Sequence, residues 1–409
     1  MSAPMPVEEH LQRVLERIQP LAAYEQRLPE VQGLPVAEDV VSPLSLPVFD
    51  NSAMDGYAVH FRDVAEATEE RPVHLPVLGA IAAGDGTASV LEPGTAMRIM
   101  TGARVPEGCT AVVPIEWTDN GRESVLVQRA PTDGQHVRRA GEDVRRGDRV
   151  LREGDLVGPR QVGLLASVGL NQVLARPRPR VVIMSTGSEL VEPGQPLAPG
   201  QIHDSNSYLL AAAARAAGAI PFRVNATGDD VRAFTDALSD QLVRADVIVT
   251  SGGVSKGDHD VVKAALSSLR TVDFREVAMQ PGKPQGFGVI GEDATPIFTL
   301  PGNPVSSYIS FEVFVVPALR KMMGRLPYSR PLVHAVVTAR LTSPRDRTQF
   351  LRGRFQSRPD GAFVEPVGGP GSHLVGGLAG ANCLVVLGDG VTSVAEGDVV
   401  PVLLLDREY

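Results

Sequence analysis

Val7, Leu11, Val14, Leu15 and Ile18 fall at i, i+4, i+7, i+8 and i+11, one helical stripe that Pro20 stops. From about Val48 to Asp143 the pattern changes. Short apolar runs such as HLPVLGAI, AMRIM, AVVPIEW and SVLVQ alternate with Gly/Pro turns, which predicts a β-rich insertion. GDRVLREGDLVGPRQVGLLASVGL then predicts a strand, a turn and a short helix. From Arg176 the texture changes again. RVVIM (Arg180 to Met184) and DVIVT (Asp246 to Thr250) are short apolar runs bounded by turn residues, the pattern of strands buried on both faces. Between and after them SYLLAAAARAAG, closed by Gly218, VRAFTDALSDQLVRA and HDVVKAALSSL predict helices. PIFTL (Pro296 to Leu300) predicts a further strand, and a long helix follows Asn303 to about Met323. Strands alternating with helices mean βαβ units and a mostly parallel sheet. Beyond Pro327, VHAVVTARL, FLRGRF, NCLVVL and DVVPVLLL alternate like a small barrel or sandwich. The opening helix is separated from the α/β domain by the insertion and is expected to pack on it.

At roughly 150 residues per domain, 409 residues suggest two to four domains. Aromatics are only 5% of a chain that is 43% hydrophobic, so the cores are built from Val, Leu, Ile and Ala. A net charge of −9 argues against a nucleic-acid binder, which needs a basic face, yet leaves room for a local basic pocket for one phosphorylated small molecule. No stretch reaches the ~18 apolar residues of a membrane helix. The acidic start MSAPMPVEEH has no apolar core of a leader, so a cytoplasmic location is expected. Cys109 and Cys383 have no metal-ligand spacing and read as reduced packing residues.

Three turns each leave the carboxyl end of a predicted strand: STGSE (Ser185 to Glu189), TSGGVSKGDHD (Thr250 to Asp260) and LPGNPVSS (Leu300 to Ser307). In an open parallel sheet the ligand crevice lies there, and small residues let backbone N–H groups approach an anion. One such turn is common without a ligand; three in one domain point to a site. Glu189, Asp258 and Asp260 lie in or beside these turns and Asp229 opens a helix. Carboxylates beside a phosphate cradle call for a cation, and Mg²⁺ is the usual one. The structural alternative is a helix cap for Asp229 and a solvated loop acid for Asp258. In QPGKPQGFG (Gln280 to Gly288), Lys283 sits between two prolines on a stiff turn suited to the oxygens of phosphate or another oxyanion, or is an ordinary surface lysine. In the insertion, FDNSAMDGYAV (Phe49 to Val59), RIMTGARVP (Arg98 to Pro106) and GEDVRRG (Gly141 to Gly147) place Asp55, Thr101, Glu142 and Asp143 among apolar or glycine neighbours. Each could also be a turn or a bulge.

As a set, in this order, FDNSAMDGYAV, MTGARVPEG, GEDVRRG, STGSEL, IHDSNSYLL, TSGGVSKGDHD, PGKPQGFG and LPGNPVSS resemble the MoeA/gephyrin-E family of molybdopterin molybdenumtransferases. They cover the chain from about Phe49 to Ser307. The resemblance implies an α/β multidomain fold: a MogA-like α/β domain with a mostly parallel sheet (1–26 plus 177–327), a linking arm domain (27–47 plus 144–176), a β-rich inserted domain (48–143) and a C-terminal β-barrel (328–409). It implies a homodimer that binds adenylylated molybdopterin. Molybdate and Mg²⁺ then drive hydrolysis of the adenylyl bond, release of AMP and metal transfer to the dithiolene. The molybdopterin adenylyltransferase and cofactor-accepting enzymes are implied partners; a nucleic acid or a membrane is not. Motif by motif, the family's catalytic residues fall on Asp55, Thr101, Asp143, Glu189 and Asp260, and its metal-binding acids on Glu189, Asp229 and Asp260. Its substrate-binding positions fall on Ser251, Gly252, Gly253, Ser255, Lys283, Pro301, Gly302, Asn303 and Pro304, with weaker matches at Arg352 and Ser372. Three positions depart from the family pattern: Gln280 where lysine is frequent, Val261 where an aromatic residue is, and Cys109-Thr110 where a small and an acidic residue are. Two other readings are an adenylyltransferase on the same α/β domain, which would lack FDNSAMDGYAV and GEDV, and a non-catalytic scaffold.

Overall fold

The computed structural model describes residues 3–86, 88–228, 230–253 and 261–406. The chain divides into two compact units. One holds Glu25–Gln32 and Glu38–Val173; the other holds Gly33–Ala37 and the chain up to Tyr24 and from Leu174 onward. No helix among the described residues is long and apolar enough to cross a membrane.

Helix α1 (Val7–Arg17) belongs to the larger unit. Its stripe does what the spacing predicts: Val7, Val14 and Ile18 are buried against Phe311, Phe314 and Leu319. The opening helix thus packs on a domain completed some 300 residues later in the chain, as expected.

The smaller unit is built on a five-stranded sheet of β1 (Gly56–Val59), β2 (Val73–Ile81), β3 (Ala96–Ile99), β4 (Ala111–Pro114) and β5 (Ser124–Val127) in the order β4-β1-β3-β2-β5. Only the β2/β3 pair is parallel, and its register shifts between Val77 and Ala80. Tyr57, Val59, Val113, Val125 and Val127 fill one face while Ala58, Ile99 and Val112 fill the other, the period of two that a pleated strand imposes. Gly56 is required by close approach: a Cβ there would lie 1.9 Å from the carbonyl oxygen of Val113. Helix α2 (Pro159–Ser167) follows the predicted strand and turn.

The larger unit contains β6 (Arg180–Thr186), α3 (Asn206–Ala216), β7 (Ile220–Thr227), α4 (Val231–Leu242), β8 (Val247–Ser251), α5 (Val261–Ser267), β9 (Val272–Glu276), β10 (Pro284–Ile290) and β11 (Thr295–Leu300). The sheet order is β7-β6-β8-β11-β10-β9; the first three pairings are parallel and the last two antiparallel. The chain leaves β6 for β7 on one side and then returns to β8 on the other, which makes the β6/β8 edge a topological switch point. The long helix is α6 (Pro304–Ser310), a π turn at Phe311–Val315 and α7 (Val316–Met322). The apolar runs read from the sequence are buried throughout β6 beyond Arg180 and throughout β8.

The C-terminal part closes into a five-stranded barrel of β12 (Leu332–Val337), β13 (Thr348–Arg358), β14 (Gly361–Pro366), β15 (Cys383–Leu387) and β16 (Val399–Leu404). The order β13-β14-β12-β16-β15 returns to β13 through the β13/β15 pairing. Of the barrel and sandwich alternatives, the barrel is present. Ala335, Val337, Val364, Cys383, Val385 and Val402 fill its interior, so Cys383 is a packing residue.

Candidate active site

The three βα turns converge. A cleft of about 680 Å³ at the carboxyl ends of β6, β8 and β11 is lined by Thr186, Gly187 and Glu189, by Ser251, Gly252 and Gly253, and by Pro301, Gly302, Asn303 and Pro304. This volume suits a small-molecule site. Hydrogen bonds fasten the turns to one another. Asn206, at the start of α3, donates from Nδ2 to Ser251 Oγ (2.7 Å) and to the Gly302 carbonyl (2.7 Å). Ser307 Oγ donates to Ser251 Oγ (3.3 Å). The amide oxygen of Asn206 is buried and has no partner among the described residues.

Asp204 also lines the cleft and is 3% exposed. It accepts from Ser185 Oγ (3.1 Å) and from the Ser207 N–H (3.1 Å). It therefore joins the end of β6 to the first turn of α3. Glu189 lies in the first turn, where Gly187 has φ +146° and a Cβ would sit 2.4 Å from Glu189 Oε2. Glycine at 187 lets that carboxylate fold back over the turn. Gly252 and Gly253 take φ +96° and +65°. The short pairing of Leu190–Val191 with Ile202–His203 forms a flap beside the cleft, which His203 also lines.

The barrel contributes as well. Arg352 on β13 is 4% exposed, and its guanidinium donates to the carbonyls of Leu374 (2.8 Å) and Gly369. Burial lowers its pKa. Arg352 thus clamps the glycine-rich 368–374 loop. In that loop the Ser372 carbonyl accepts from the Val305 N–H (3.2 Å), and the next residue, His373, lines the cleft. Lys283 stands apart from the lining. Its ammonium pairs with Glu276 across the β9/β10 ladder (2.9 Å), while its neighbour Pro284 lines the cleft. The QPGKPQGFG stretch is a stiff turn only at its start; from Pro284 it is strand β10.

In the smaller unit, Asp55 Oδ1 accepts from the Thr101 N–H (2.7 Å) and the Thr101 hydroxyl (3.0 Å). These two donors, the backbone one first, hold the Asp55 carboxyl below its usual pKa. Asp143 has an exposed side chain and a backbone N–H bonded to the Leu46 carbonyl (3.1 Å). No hydrogen bond among the described residues joins it to the Asp55–Thr101 pair. Glu142 accepts from the Arg139 N–H (2.8 Å), which makes it a turn residue. Asp229, Ser255, Asp258 and Asp260 lie outside the described residues. Among the described residues no group of three or more His, Cys, Asp or Glu side chains is placed to hold a metal.

Asp204, Asn206, His203 and His373 were missed as individual site residues. The run His-Asp-Ser-Asn-Ser before an apolar helix reads as an N-terminal cap, and that signal conceals Asp204 and Asn206. His373 carries no local signal beyond its glycine-rich neighbourhood.

Three family models match consecutive parts of the chain. They are described as "MoeA N-terminal region (domain I and II)" over residues 5–169, "Probable molybdopterin binding domain" over 182–321 and "MoeA C-terminal region (domain IV)" over 334–405. The molybdopterin molybdenumtransferase 2 of Mycobacterium tuberculosis is 49% identical over 96% of this chain and 97% of that protein. The molybdopterin molybdenumtransferase 1 of the same organism is 41% identical over 92% and 93%. The crystal structure of the molybdopterin biosynthesis MoeA protein from Pyrococcus horikosii superposes with a TM-score of 0.84 at 32% identity, covering 99% of this chain and all of that one. The family that the sequence motifs resemble, the architecture of a MogA-like sheet with a C-terminal barrel, and these near-full-length relatives agree: the chain belongs to the molybdopterin molybdenumtransferase family.

Proposed function

We propose that this chain acts in molybdenum cofactor biosynthesis by inserting molybdate into adenylylated molybdopterin, with hydrolysis of the adenylyl bond and release of AMP. The observation that carries this reading is the convergence of three small-residue turns on one cleft at the switch point of the sheet, in a chain of this family. Such turns suit a phosphorylated ligand because backbone N–H groups and the start of α6 favour negative charge. Ser251, Gly252, Gly253 and the Pro301–Pro304 turn bind the phosphate end, joined by Ser255. Lys283 serves the molybdate oxygens once it leaves Glu276. Arg352 and Ser372 hold the loop that completes the wall.

Asp55, Thr101, Asp143, Glu189 and Asp260 are the catalytic set of this reading. Thr101 keeps the Asp55 carboxylate ionised, and so fit to order a water or a substrate hydroxyl. The cleft's donors are hard oxygens, namely Glu189, the serine hydroxyls and the unpartnered Asn206 amide oxygen, which fit Mg²⁺ better than a soft metal. Glu189, with Asp229 and Asp260, would hold that ion, which would neutralise phosphate and molybdate oxygens there. Because Asp55 and Glu189 sit on different compact units, we infer a homodimer whose clefts take residues from both chains. The four-segment division read from the sequence, and exchange with the adenylyltransferase and cofactor-accepting enzymes, belong to the same reading.

The test is a discontinuous assay of AMP release from adenylylated molybdopterin with and without molybdate. Release that depends on molybdate and falls sharply in Glu189→Gln is the expected result. An enzyme that instead forms adenylylated molybdopterin from a nucleoside triphosphate overturns the proposal.

A further inference from the structure

Helix α1 has a charged side next to its apolar stripe. His10, Arg13 and Arg17 stand at i, i+3 and i+7, on one side of the helix, and Glu16 adjoins them. Across from them is the edge strand β9. Its Asp273 and Arg275 lie two residues apart on one face of the sheet, and Phe287 of β10 is directly opposite Asp273. Together these residues line a cavity of about 290 Å³. It lies wholly within the larger unit and shares no lining residue with the cleft at the switch point.

His10 is the buried polar side chain of this wall, 5% exposed. Its ring meets Phe314 edge-on and has no hydrogen-bond partner among the described residues. Buried polar groups are ordinarily bonded, and an imidazole beside an apolar stripe is costly unless its N–H is used. The guanidiniums around it are loosely held. Arg13 meets Glu9, Arg275 meets Asp273 and Arg17 meets the Thr271 carbonyl, each at 3.5 Å on the surface. Contacts that long and that exposed are weak. Of the two lining acids, Glu16 accepts from Gln12 Nε2 (3.0 Å) and Asp273 is 59% exposed. Behind His10 the charges are committed elsewhere. Glu312 of the π turn pairs with Arg330 (2.9 Å), and on α7 Lys321 donates to the Leu15 carbonyl (2.7 Å) and Arg320 to the Pro327 carbonyl (2.6 Å).

We propose that this cavity binds a small oxyanion of the size and charge of sulfate or phosphate, which accepts from the His10 ring and from the guanidiniums of Arg13, Arg17 and Arg275. Guanidinium forks suit such oxygens. The ion bridges the first helix to an edge strand reached some 260 residues later, and so clamps α1 onto its domain. Three guanidiniums repel a metal cation, and no group of three or more His, Cys, Asp or Glu side chains among the described residues is placed to hold one. The cavity lies just below the range of small-molecule sites, which favours a bare ion over a larger ligand. In the ligand-free protein burial first, then the charges of Arg275 and Arg13, hold the His10 pKa down to about 4. A dianion in contact with the ring offsets those charges and raises it. Binding therefore takes up a proton, and affinity rises as pH falls through the pKa of the bound state. The proposed activity plays no part in this site.

The experiment is titration of the full-length protein with sulfate, whose charge does not change across the pH range used. It is read by calorimetry and by the ring resonances of His10, assigned by their loss in His10→Leu. Sulfate should shift those resonances, and its Kd should fall by roughly threefold or more from about pH 7 to about pH 5. Arg13→Gln and Arg275→Gln should each raise the Kd about five- to tenfold, and Asp273→Asn should lower it by up to about fivefold. His10→Leu should weaken binding and remove its pH dependence. The other three variants alter exposed side chains, so their outcomes stand even where His10→Leu is less stable. Sulfate that leaves the His10 resonances in place, or a Kd that these variants share with the parent, overturns the site. A Kd sensitive to the arginines whose pH dependence survives in His10→Leu overturns the part given to His10. Glycerol phosphate that binds more tightly than inorganic phosphate overturns the restriction to a bare ion.

Discussion

Lys283 offers the sharpest quantitative test of the anion binding proposed for the cleft. The chain is net negative, so attraction at long range works against molybdate and phosphate, and a local cation must act. Its backbone is fixed, since the Lys283 carbonyl accepts from the Val277 N–H (2.7 Å). Its ammonium is paired with Glu276 at 2.9 Å, with side chains 43% and 36% exposed. An exposed pair of this kind is worth only about 0–1 kcal/mol after screening. A charge-assisted contact to a bound oxyanion is worth about 1.5–3 kcal/mol. Exchange of Glu276 for the ligand is therefore downhill by about 1–2 kcal/mol, roughly 5- to 30-fold in affinity. Lys283→Ala should raise the half-saturating molybdate concentration by that factor. Glu276→Gln, which removes the competitor, should lower it by up to about fivefold. The double variant should match Lys283→Ala alone, because without the lysine the glutamate has nothing to hold back. Hydrolysis rates are to be titrated against molybdate for all three. An unchanged half-saturation in Lys283→Ala would show that backbone amides of the glycine turns hold the oxyanion. A Glu276→Gln enzyme that needs more molybdate would show that the glutamate positions the lysine and does not compete for it.

Three further outcomes follow from geometry. His10 is 5% exposed, edge-on to Phe314 at 4.7 Å; burial first, then the charges of Arg275 and Arg13, lower its pKa from 6.5 to about 4. The unfolded chain takes up a proton below its pKa while the folded chain stays neutral, so His10 lends stability above pH 6.5 that is lost as pH falls toward about 4; that loss amounts to about 3 kcal/mol. His10→Leu should flatten this part of the urea-unfolding profile against pH, and parallel profiles would refute the assignment. Gly286→Ala puts a Cβ 2.0 Å from Thr299 Oγ1 and 2.9 Å from the Phe274 ring, so it should cost roughly 1–3 kcal/mol in denaturant titration, with partial recovery on adding Thr299→Ala. Mixing Asp55→Ala with Glu189→Ala chains should restore about a quarter of parental turnover if each cleft takes residues from two chains, since half the dimers are mixed and each has one intact cleft; no recovery above either parent means each chain is self-sufficient.

How much was legible follows the strength of each local signal. Strands β6 and β8 are apolar end to end because they are covered on both faces, and such runs announce themselves. The helix–strand alternation then fixes where the carboxyl ends lie, so the three small-residue turns could be placed on one side of a sheet before any geometry was known. Strands β9 and β10 gave no such signal. Val-Asp-Phe-Arg-Glu carries three charges in five residues, and β10 contains Gly286 and Gly288. Those glycines are not turn residues here. A Cβ at Gly288 would lie 2.2 Å from the Thr271 carbonyl, so neighbouring backbone, not chain reversal, excludes a side chain. With β9 missed, its Glu276 was missed too, and with it the ion pair that Lys283 makes.

The site residues divide along the same line. Glu189, Ser251 and Pro301–Pro304 line the cleft, and their residue type and position after a strand suffice to suggest a chemistry for them. Asp204 needed more, since an aspartate before a helix is ordinarily a cap, and it does accept the Ser207 N–H as a cap would. What distinguishes it is the second bond, to Ser185 nineteen residues earlier on another element, together with near-complete burial. Arg352 shows the converse. A conspicuous arginine suggests a ligand contact, yet its guanidinium is committed to carbonyls at 369 and 374. Its effect on the cleft then passes through the loop it holds, whose Ser372 carbonyl meets α6 and whose His373 forms part of the wall. Residue type proposes the chemistry of a side chain; which of its hydrogen-bonding groups are already spent decides whether that chemistry is offered to a ligand or to the fold.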